Sequence, residues 1–173
     1  GLPLRVLEIG SSAGLNLRFD HFRFGGGGAS WGPEESPVNL DGLWLEAPPL
    51  PPAVRVIERA GCDRRPVDIT AEEGRLALLS SVWADQQPRF ARLRGALEIA
   101  RRVPAPVVEA DLAVWLPAQL AEPQPGQATV IYHSIVDEYL PPPTRRVFRD
   151  CLEGAGARAR ADAPLHWLRL EPF

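Results

Sequence analysis

The chain of 173 residues contains no lysine, no methionine and only two cysteines. Without lysine it cannot form a P-loop, which needs that side chain at the phosphates, and it cannot be a dehydrogenase that pairs tyrosine with lysine. Cys62 and Cys151 form neither a disulfide framework nor a metal-binding spacing, so no metal site is expected. There is no signal peptide and no long apolar run, so we expect a cytoplasmic protein that does not span a membrane.

What remains is an ordinary globular composition, with 45% apolar and 24% charged residues and a net charge of −3. This balance gives no support for a nucleic-acid partner, because phosphate binding normally requires a basic surface. The length favours a single domain over residues 1–173. Because the chain starts at Gly1 without an initiator methionine, we expect it to be a fragment of a longer protein.

The opening stretch predicts a strand, a tight turn and a helix. An apolar run over residues 4–9 stops at Gly10, crosses small residues to Gly14, and continues as a predicted helix over residues 13–22. Glycines in such a turn let a ligand approach the backbone, and the helix would point free N–H groups at it. Glu8 places a carboxylate near the end of a buried strand, which is costly unless the turn or a ligand satisfies it.

The rest of the chain alternates predicted strands with predicted helices. Further strands are expected at residues 54–63, 107–112, 129–134 and 165–170, and a capping box at Thr70 and Glu73 predicts a helix start. This order favours an α/β fold with a doubly wound, mostly parallel Rossmann-like sheet.

Between the first helix and the second strand lies an irregular region rich in glycine and proline. We predict that residues 24–52 form an insertion or a lid within the domain. Two short strands are expected there, at residues 38–40 and 43–45. Trp31 and Trp44 would either line a ligand site or cover the edge of the sheet.

Polar side chains follow three of the predicted strands. Asp63 lies at the tip of the second strand, where Rossmann-type folds bind ribose hydroxyls, and Glu58 and Asp68 are the alternatives for this role. Asp111 lies at the end of the third strand. His133, at the tip of the fourth, has a side chain suited to act as a base, although a hydrogen-bonded structural histidine is the alternative.

Taken together, these positions resemble the signature of class I S-adenosylmethionine (SAM) dependent methyltransferases. The resemblance implies a cofactor site for SAM formed by the first turn and two later acids, namely Glu8, Gly10, Ser11, Ser12, Gly14, Asp63 and Asp111. It implies that Gly10 and Gly14 approach the methionine moiety, Asp63 the ribose and Asp111 the adenine amino group. Ser12 departs from the family pattern, which often has glycine there.

Over its full length the chain also resembles a bacterial family of unknown function with a methyltransferase-like fold. The resemblance rests on sequence blocks spread along the chain, at residues 7–17, 59–63, 82–86, 133–134 and 167–172. It implies further chain on both sides of this segment. It names no methyl acceptor, so a small molecule and a protein both stay open as partners, and the oligomeric state is not predicted.

Two other functions fit parts of the pattern. Residues 10–14 read Gly-Ser-Ser-Ala-Gly, a nucleophile elbow, and Ser12, Asp111 and His133 follow in the chain order of a serine hydrolase triad. However, that elbow normally follows several strands, and Glu8 would oppose a developing oxyanion. The second alternative is a Rossmann-like domain that binds a ligand without catalysis. The sequence therefore favours a SAM-dependent methyltransferase, with these two as alternatives.

Overall fold

The computed structural model describes residues 1–44 and 54–172, and the side chain of Trp44 is not described. Its strands and helices are β1 (Leu4–Ile9), β2 (Arg23–Gly26), β3 (Ala29–Trp31), β4 (Asn39–Trp44), β5 (Val56–Asp63), α1 (Glu72–Ser80), α2 (Gln87–Arg102), β6 (Val107–Glu109), α3 (Leu112–Gln119), β7 (Ala128–Ser134), α4 (Pro142–Ala157) and β8 (Leu165–Leu170). The segments Leu15–His21 and Asp137–Tyr139 are 3-10 helices. Contacts between residues divide the chain into two compact units.

The first unit, formed by Gly1–Leu17, Arg55–Pro66 and Pro106–Phe173, contains a parallel five-stranded sheet in the order β6-β5-β1-β7-β8. In chain order these strands read third, second, first, fourth, fifth, which is the order of Rossmann-like sheets. The expected α/β fold with a parallel sheet is therefore confirmed. The order reverses between β1 and β7, and the carboxyl ends of all five strands meet at one edge, where such sheets bind ligands.

The core of this unit lies between the sheet and helices α3 and α4. Strand β1 is almost wholly buried, and its sequence combines four apolar residues with the buried charged residues Arg5 and Glu8. Helix α4 buries Phe148, Leu152 and Ala155, whose spacing places them on one helical face. Each large apolar side chain buried in this way stabilises the fold by about 1.5 to 3 kcal/mol.

The second unit, Arg18–Val54 and Val67–Ala105, contains a small sheet in the order β3-β2-β4 and the helices α1 and α2. Gly27 and Gly28 join β2 to the antiparallel β3, and both have a positive φ that favours glycine. This hairpin was not predicted. The two short strands expected at residues 38–45 form one strand, β4, parallel to β2, and Leu45 lies outside the described residues.

The helix predicted at residues 13–22 is wrong in type and length, because the segment is a 3-10 helix of seven residues. The backbone at Arg18 is not helical, with φ −108° and ψ 21°. Its guanidinium donates to the carbonyl oxygen of Val103 over 2.8 Å. A short 3-10 segment carries little of the dipole that the predicted helix would have directed at a ligand.

Two smaller predictions about element ends are also wrong. Thr70 does not cap a helix, because Asp68 Oδ1 accepts hydrogen bonds from both its amide and its hydroxyl group, and α1 begins one residue after Ala71. The third strand ends at Glu109 rather than at Leu112, because Asp111 starts α3 instead. Among the described residues, no helix is both long and apolar enough to cross a bilayer.

Candidate functional site

The turn after β1 folds through three residues with positive φ, Gly10 at 64°, Ser12 at 51° and Gly14 at 62°. The turn is closed by a hydrogen bond from the Gly14 amide to the Ser11 carbonyl oxygen, 2.7 Å long. Ser12 is therefore a serine in a conformation that glycine adopts without strain.

Ser11 is buried and binds the protein itself. Its hydroxyl donates to the carbonyl oxygen of Glu8 at 2.7 Å, and its amide donates to that of Cys62 at 3.1 Å. A Cβ atom on Gly61 would lie 2.1 Å from the Ser11 hydroxyl oxygen. Ser11 thus joins β1 to β5 at the base of the turn.

Glu8 is also buried, at 3% exposure. Its Oε1 accepts a hydrogen bond of 3.1 Å from the side-chain amide of Asn16. The buried carboxylate was expected to need a hydrogen-bond donor, and Asn16, from the segment after the turn, is one such donor. The approach of a ligand to Glu8 stays a prediction.

Asp63, at the end of β5, is oriented by two backbone amides. Ser12 donates to its Oδ2 and Arg65 to its Oδ1, each over 2.8 Å. A carboxylate oxygen has two lone pairs, so each oxygen keeps one for a further donor. The two alternatives to Asp63 for ribose binding have partners of their own. Glu58 forms an ion pair with Arg5 at 2.9 Å, and Asp68 accepts a hydrogen bond from Thr70.

Asp111 is the N-cap of α3, and its Oδ1 accepts a hydrogen bond of 2.8 Å from the Ala113 amide. The cap fixes the carboxylate at the carboxyl end of β6 and leaves Oδ2 free of hydrogen bonds from the described residues. The acid predicted after the third strand is therefore held in place at the sheet edge.

A cavity of about 280 Å³ opens at this edge of the first unit. Its lining is formed by residues 9–10, 62–64, 110–112, 135–136, 139–141 and 144. It thus brings together three predicted cofactor residues, Gly10, Asp63 and Asp111. The volume is close to the lower limit of about 300 Å³ for small-molecule sites.

The lining combines an apolar floor with polar groups at the rim. Ile9 and Leu112 are buried apolar residues, whereas Arg64 and Tyr139 are exposed. The thiol of Cys62 is buried, and burial raises its pKa to about 12, only partly opposed by a hydrogen bond with the Gly10 backbone, so the thiol is protonated at neutral pH. The cavity therefore offers a ligand an apolar floor and a polar rim.

His133 does not line this cavity and is fully buried. Its Nδ1 lies 2.6 Å from Glu171 Oε1, and its Nε2 accepts a hydrogen bond of 2.9 Å from the indole N–H of Trp167. An Nε2 that accepts cannot carry a proton, so the proton is on Nδ1 and points at Glu171. Phe148 packs edge-on against the ring at 5.3 Å. These are the contacts of a structural histidine, and its role as a base stays a prediction.

The same hydrogen bonds bear on two other kinds of site. A serine hydrolase needs the histidine Nε2 to accept from the serine, but this atom already accepts from Trp167. His133, Asp137 and Glu171 each have one atom that could bind a metal ion, and these three atoms lie within 4.8 Å of one another. Metal binding through Nδ1 would move the proton to Nε2 and set it against the Trp167 N–H, which disfavours such a site.

Trp167 and Glu171 were not singled out as site residues from the sequence. Both lie in the block at residues 167–172 that carries the family resemblance, and an acid next to a strand end was the available signal.

Trp31 packs on Phe24 with ring centroids 5.1 Å apart, within the second unit. The rest of the predicted lid at residues 45–52 lies outside the described residues, so the lid stays a prediction.

The chain matches a known protein family over its whole length. A family model described as an uncharacterized protein conserved in bacteria (DUF2332) matches residues 1–173. No curated protein and no solved structure matches the chain significantly. The expected relation to an uncharacterised bacterial family is thus confirmed, and the chain belongs to the bacterial family DUF2332.

Proposed function

We propose that the cavity binds SAM and that the protein is a SAM-dependent methyltransferase acting on a small molecule or a protein. One observation carries the proposal: Gly10, Asp63 and Asp111, from three different strand ends, line one cavity at the carboxyl edge of a Rossmann-like sheet. These residues lie far apart in sequence, and the sheet order alone brings them together. This edge is where open α/β sheets bind nucleotides.

The residues present fit the chemistry of an adenosine group. The two oxygens of Asp63 each keep a lone pair, so the carboxylate can accept from both hydroxyls of a ribose. The free oxygen of Asp111 can accept from an exocyclic amino group, while Leu112 offers an apolar surface to the base. Gly10 is required by the protein's own packing as well, since a Cβ there would lie 2.7 Å from Val136 Cγ2.

SAM would supply a methyl group on a cationic sulfur, which needs alignment more than acid or base assistance. The task left to the chain is to hold the cofactor and the acceptor in line. Asp63 and Asp111 are suited to this task because backbone hydrogen bonds already fix their orientation before a ligand arrives.

Titration calorimetry with SAM and with its demethylated product tests the proposal. We expect the wild-type chain to bind, and Asp63→Ala and Asp111→Ala to weaken binding at least tenfold, since each removes a hydrogen-bond acceptor that is charged. Asp150→Ala on the exposed surface of α4 is the matched control and should bind as the wild type does. Absence of binding to the wild type, or equal binding by all four proteins, would overturn the proposal.

A non-catalytic domain is the second candidate, and the burial of His133 favours it. Such a domain would bind the cofactor as above but transfer no methyl group to any acceptor. The two candidates separate when purified protein is incubated with radiolabelled SAM and a cell extract of small molecules and proteins. Label in any product identifies a methyltransferase, whereas tight binding without label identifies a binding domain.

The serine hydrolase is the third candidate, and the positive φ of Ser12, a feature of nucleophile elbows, is what favours it. A fluorophosphonate probe decides the matter. We expect no labelling of Ser12, because the His133 nitrogen that would activate it accepts a bond from Trp167 instead. Labelling that is lost in Ser12→Ala would replace the methyltransferase proposal with a hydrolase.

A further inference from the structure

The segment that follows β7 turns through a strained residue. Ile135 has a φ of 55°, a conformation that β-branched residues almost never adopt. The residue is 52% exposed, so burial does not explain the strain. Such a conformation persists only where the surroundings over-determine it, and it is typical of functional sites.

The surroundings that hold this turn come from the end of β8. The Ile135 amide donates to the carbonyl oxygen of Leu170 at 2.9 Å. The Val136 amide donates to both carboxylate oxygens of Glu171 at 3.1 Å, and the Asp137 amide to one of them at 3.3 Å. Together with His133, three donors therefore converge on one carboxylate.

The turn held by Glu171 forms a wall of the cavity. Ile135 and Val136 line it directly, and residues 139–141 continue the same wall. Val136 packs on Gly10, which joins this wall to the turn after β1. Glu171 itself is not part of the lining. A carboxylate outside the cavity thus holds the backbone that shapes it.

We infer that Glu171 is a positioning residue, which fixes the strained turn at Ile135 and thereby sets the shape and ligand affinity of the cavity. The carboxylate is needed because all three of its partners are donors. A glutamine would turn an N–H group toward at least one of them. The part of this inference that concerns affinity rests on the proposed function, whereas the part that concerns the turn does not.

Hydrogen exchange measured by mass spectrometry on Glu171→Gln tests the inference. We expect amides at residues 134–141 to exchange at least tenfold faster than in the wild type, with β1 unchanged, because the turn opens locally. Affinity for the demethylated cofactor should fall at least tenfold in the same variant. Glu153→Gln, an exposed glutamate on α4, is the matched control and should change neither quantity.

The outcomes separate the two ideas. If the wild type binds no cofactor, the proposed function fails, but the exchange rates still decide the role of Glu171. Unchanged exchange at residues 134–141, or equally faster exchange throughout the unit, would overturn the inference. Should Glu171→Gln not fold, Glu171→Asp repeats the test with the charge retained. If neither variant unfolds cooperatively, Glu171 serves the fold as a whole and the inference is wrong.

Discussion

The two sides of the sheet edge use polar residues in opposite ways. Beside β5 and β6, Asp63 and Asp111 each satisfy backbone amides and still present acceptors to the cavity. Beside β7 and β8, His133 and Glu171 satisfy one another and nearby donors, and neither lines the cavity. The difference teaches that a polar residue at a strand end is a candidate for ligand binding only where its hydrogen-bonding capacity is left over.

The substitution His133→Ala should have the largest effect among the tests of this contrast. The change leaves a void beside Phe148, and it leaves the Trp167 N–H without its acceptor. We expect a loss of about 3 kcal/mol in the free energy of unfolding, measured by urea denaturation. His166→Ala on the same sheet is the control, because His166 is exposed, and it should change stability by less than about 0.5 kcal/mol. Full stability of His133→Ala would contradict the structural role.

Low pH should lower the stability that Glu171 gives to the fold beside β7 and β8. Burial raises the pKa of Glu171, but hydrogen bonds from the Val136 amide, His133 and the Asp137 amide outweigh it, so the pKa lies below its usual value of 4.5. The folded protein then binds fewer protons than the unfolded chain, and Glu171 stabilises the fold above pH 4.5. This contribution should disappear as the pH falls through the lowered pKa.

Unfolding curves measured from pH 7 down to acid pH check this expectation. The effect should be smaller than that of His133→Ala, because only the charge is lost and the packing stays. In Glu171→Gln the acid-dependent loss of stability should be smaller than in the wild type. Identical pH profiles for the two proteins would show that Glu171 does not contribute.

On the other side, Asp111→Ala should have a modest effect on stability and a large one on binding. Loss of the N-cap of α3 costs about 1 kcal/mol. Unfolding by urea measures this term, and Asp150→Ala provides the comparison. If Asp111→Ala were as destabilising as His133→Ala, Asp111 would belong to the scaffold and the contrast between the two sides would disappear.

Ser12→Gly should have the smallest effect, and it should be favourable or neutral. Glycine adopts the positive φ at this position without strain, and this gain is partly offset by its greater freedom in the unfolded chain. We expect stability to change by no more than about 1 kcal/mol, and cofactor affinity to be retained. A marked loss of affinity would mean that the Ser12 side chain contacts the ligand.

The periodic parts of the fold were predictable from the sequence. The fifth strand of the main sheet was expected at residues 165–170 and forms there, because a short run of leucines and a tryptophan between Pro164 and Pro172 indicates a strand locally. Short segments were less predictable. The 3-10 segment after the first turn is kinked at Arg18, whose side chain binds the carbonyl oxygen of Val103, a partner 85 residues away that the local sequence does not reveal.

The candidate site divides in the same way. Gly10, Asp63 and Asp111 could be chosen from sequence because each lies just after a predicted strand, and parallel strands bring their carboxyl ends to one edge. The burial of His133 could not be foreseen from its neighbours in sequence. It depends on Trp167 and Glu171, which reach it only because β8 pairs with β7.

By itself, the sequence determined where the five strands of the main sheet lie and which acids lie at their carboxyl ends. These properties depend on residues close together in the chain, whose propensities and spacing act locally. The tertiary structure alone decided which polar groups keep unused hydrogen-bonding capacity. That depends on partners distant in sequence, since His133 is saturated by residues 34 and 38 positions away. Asp63 and Asp111 remain available because no such partner reaches their open side among the described residues.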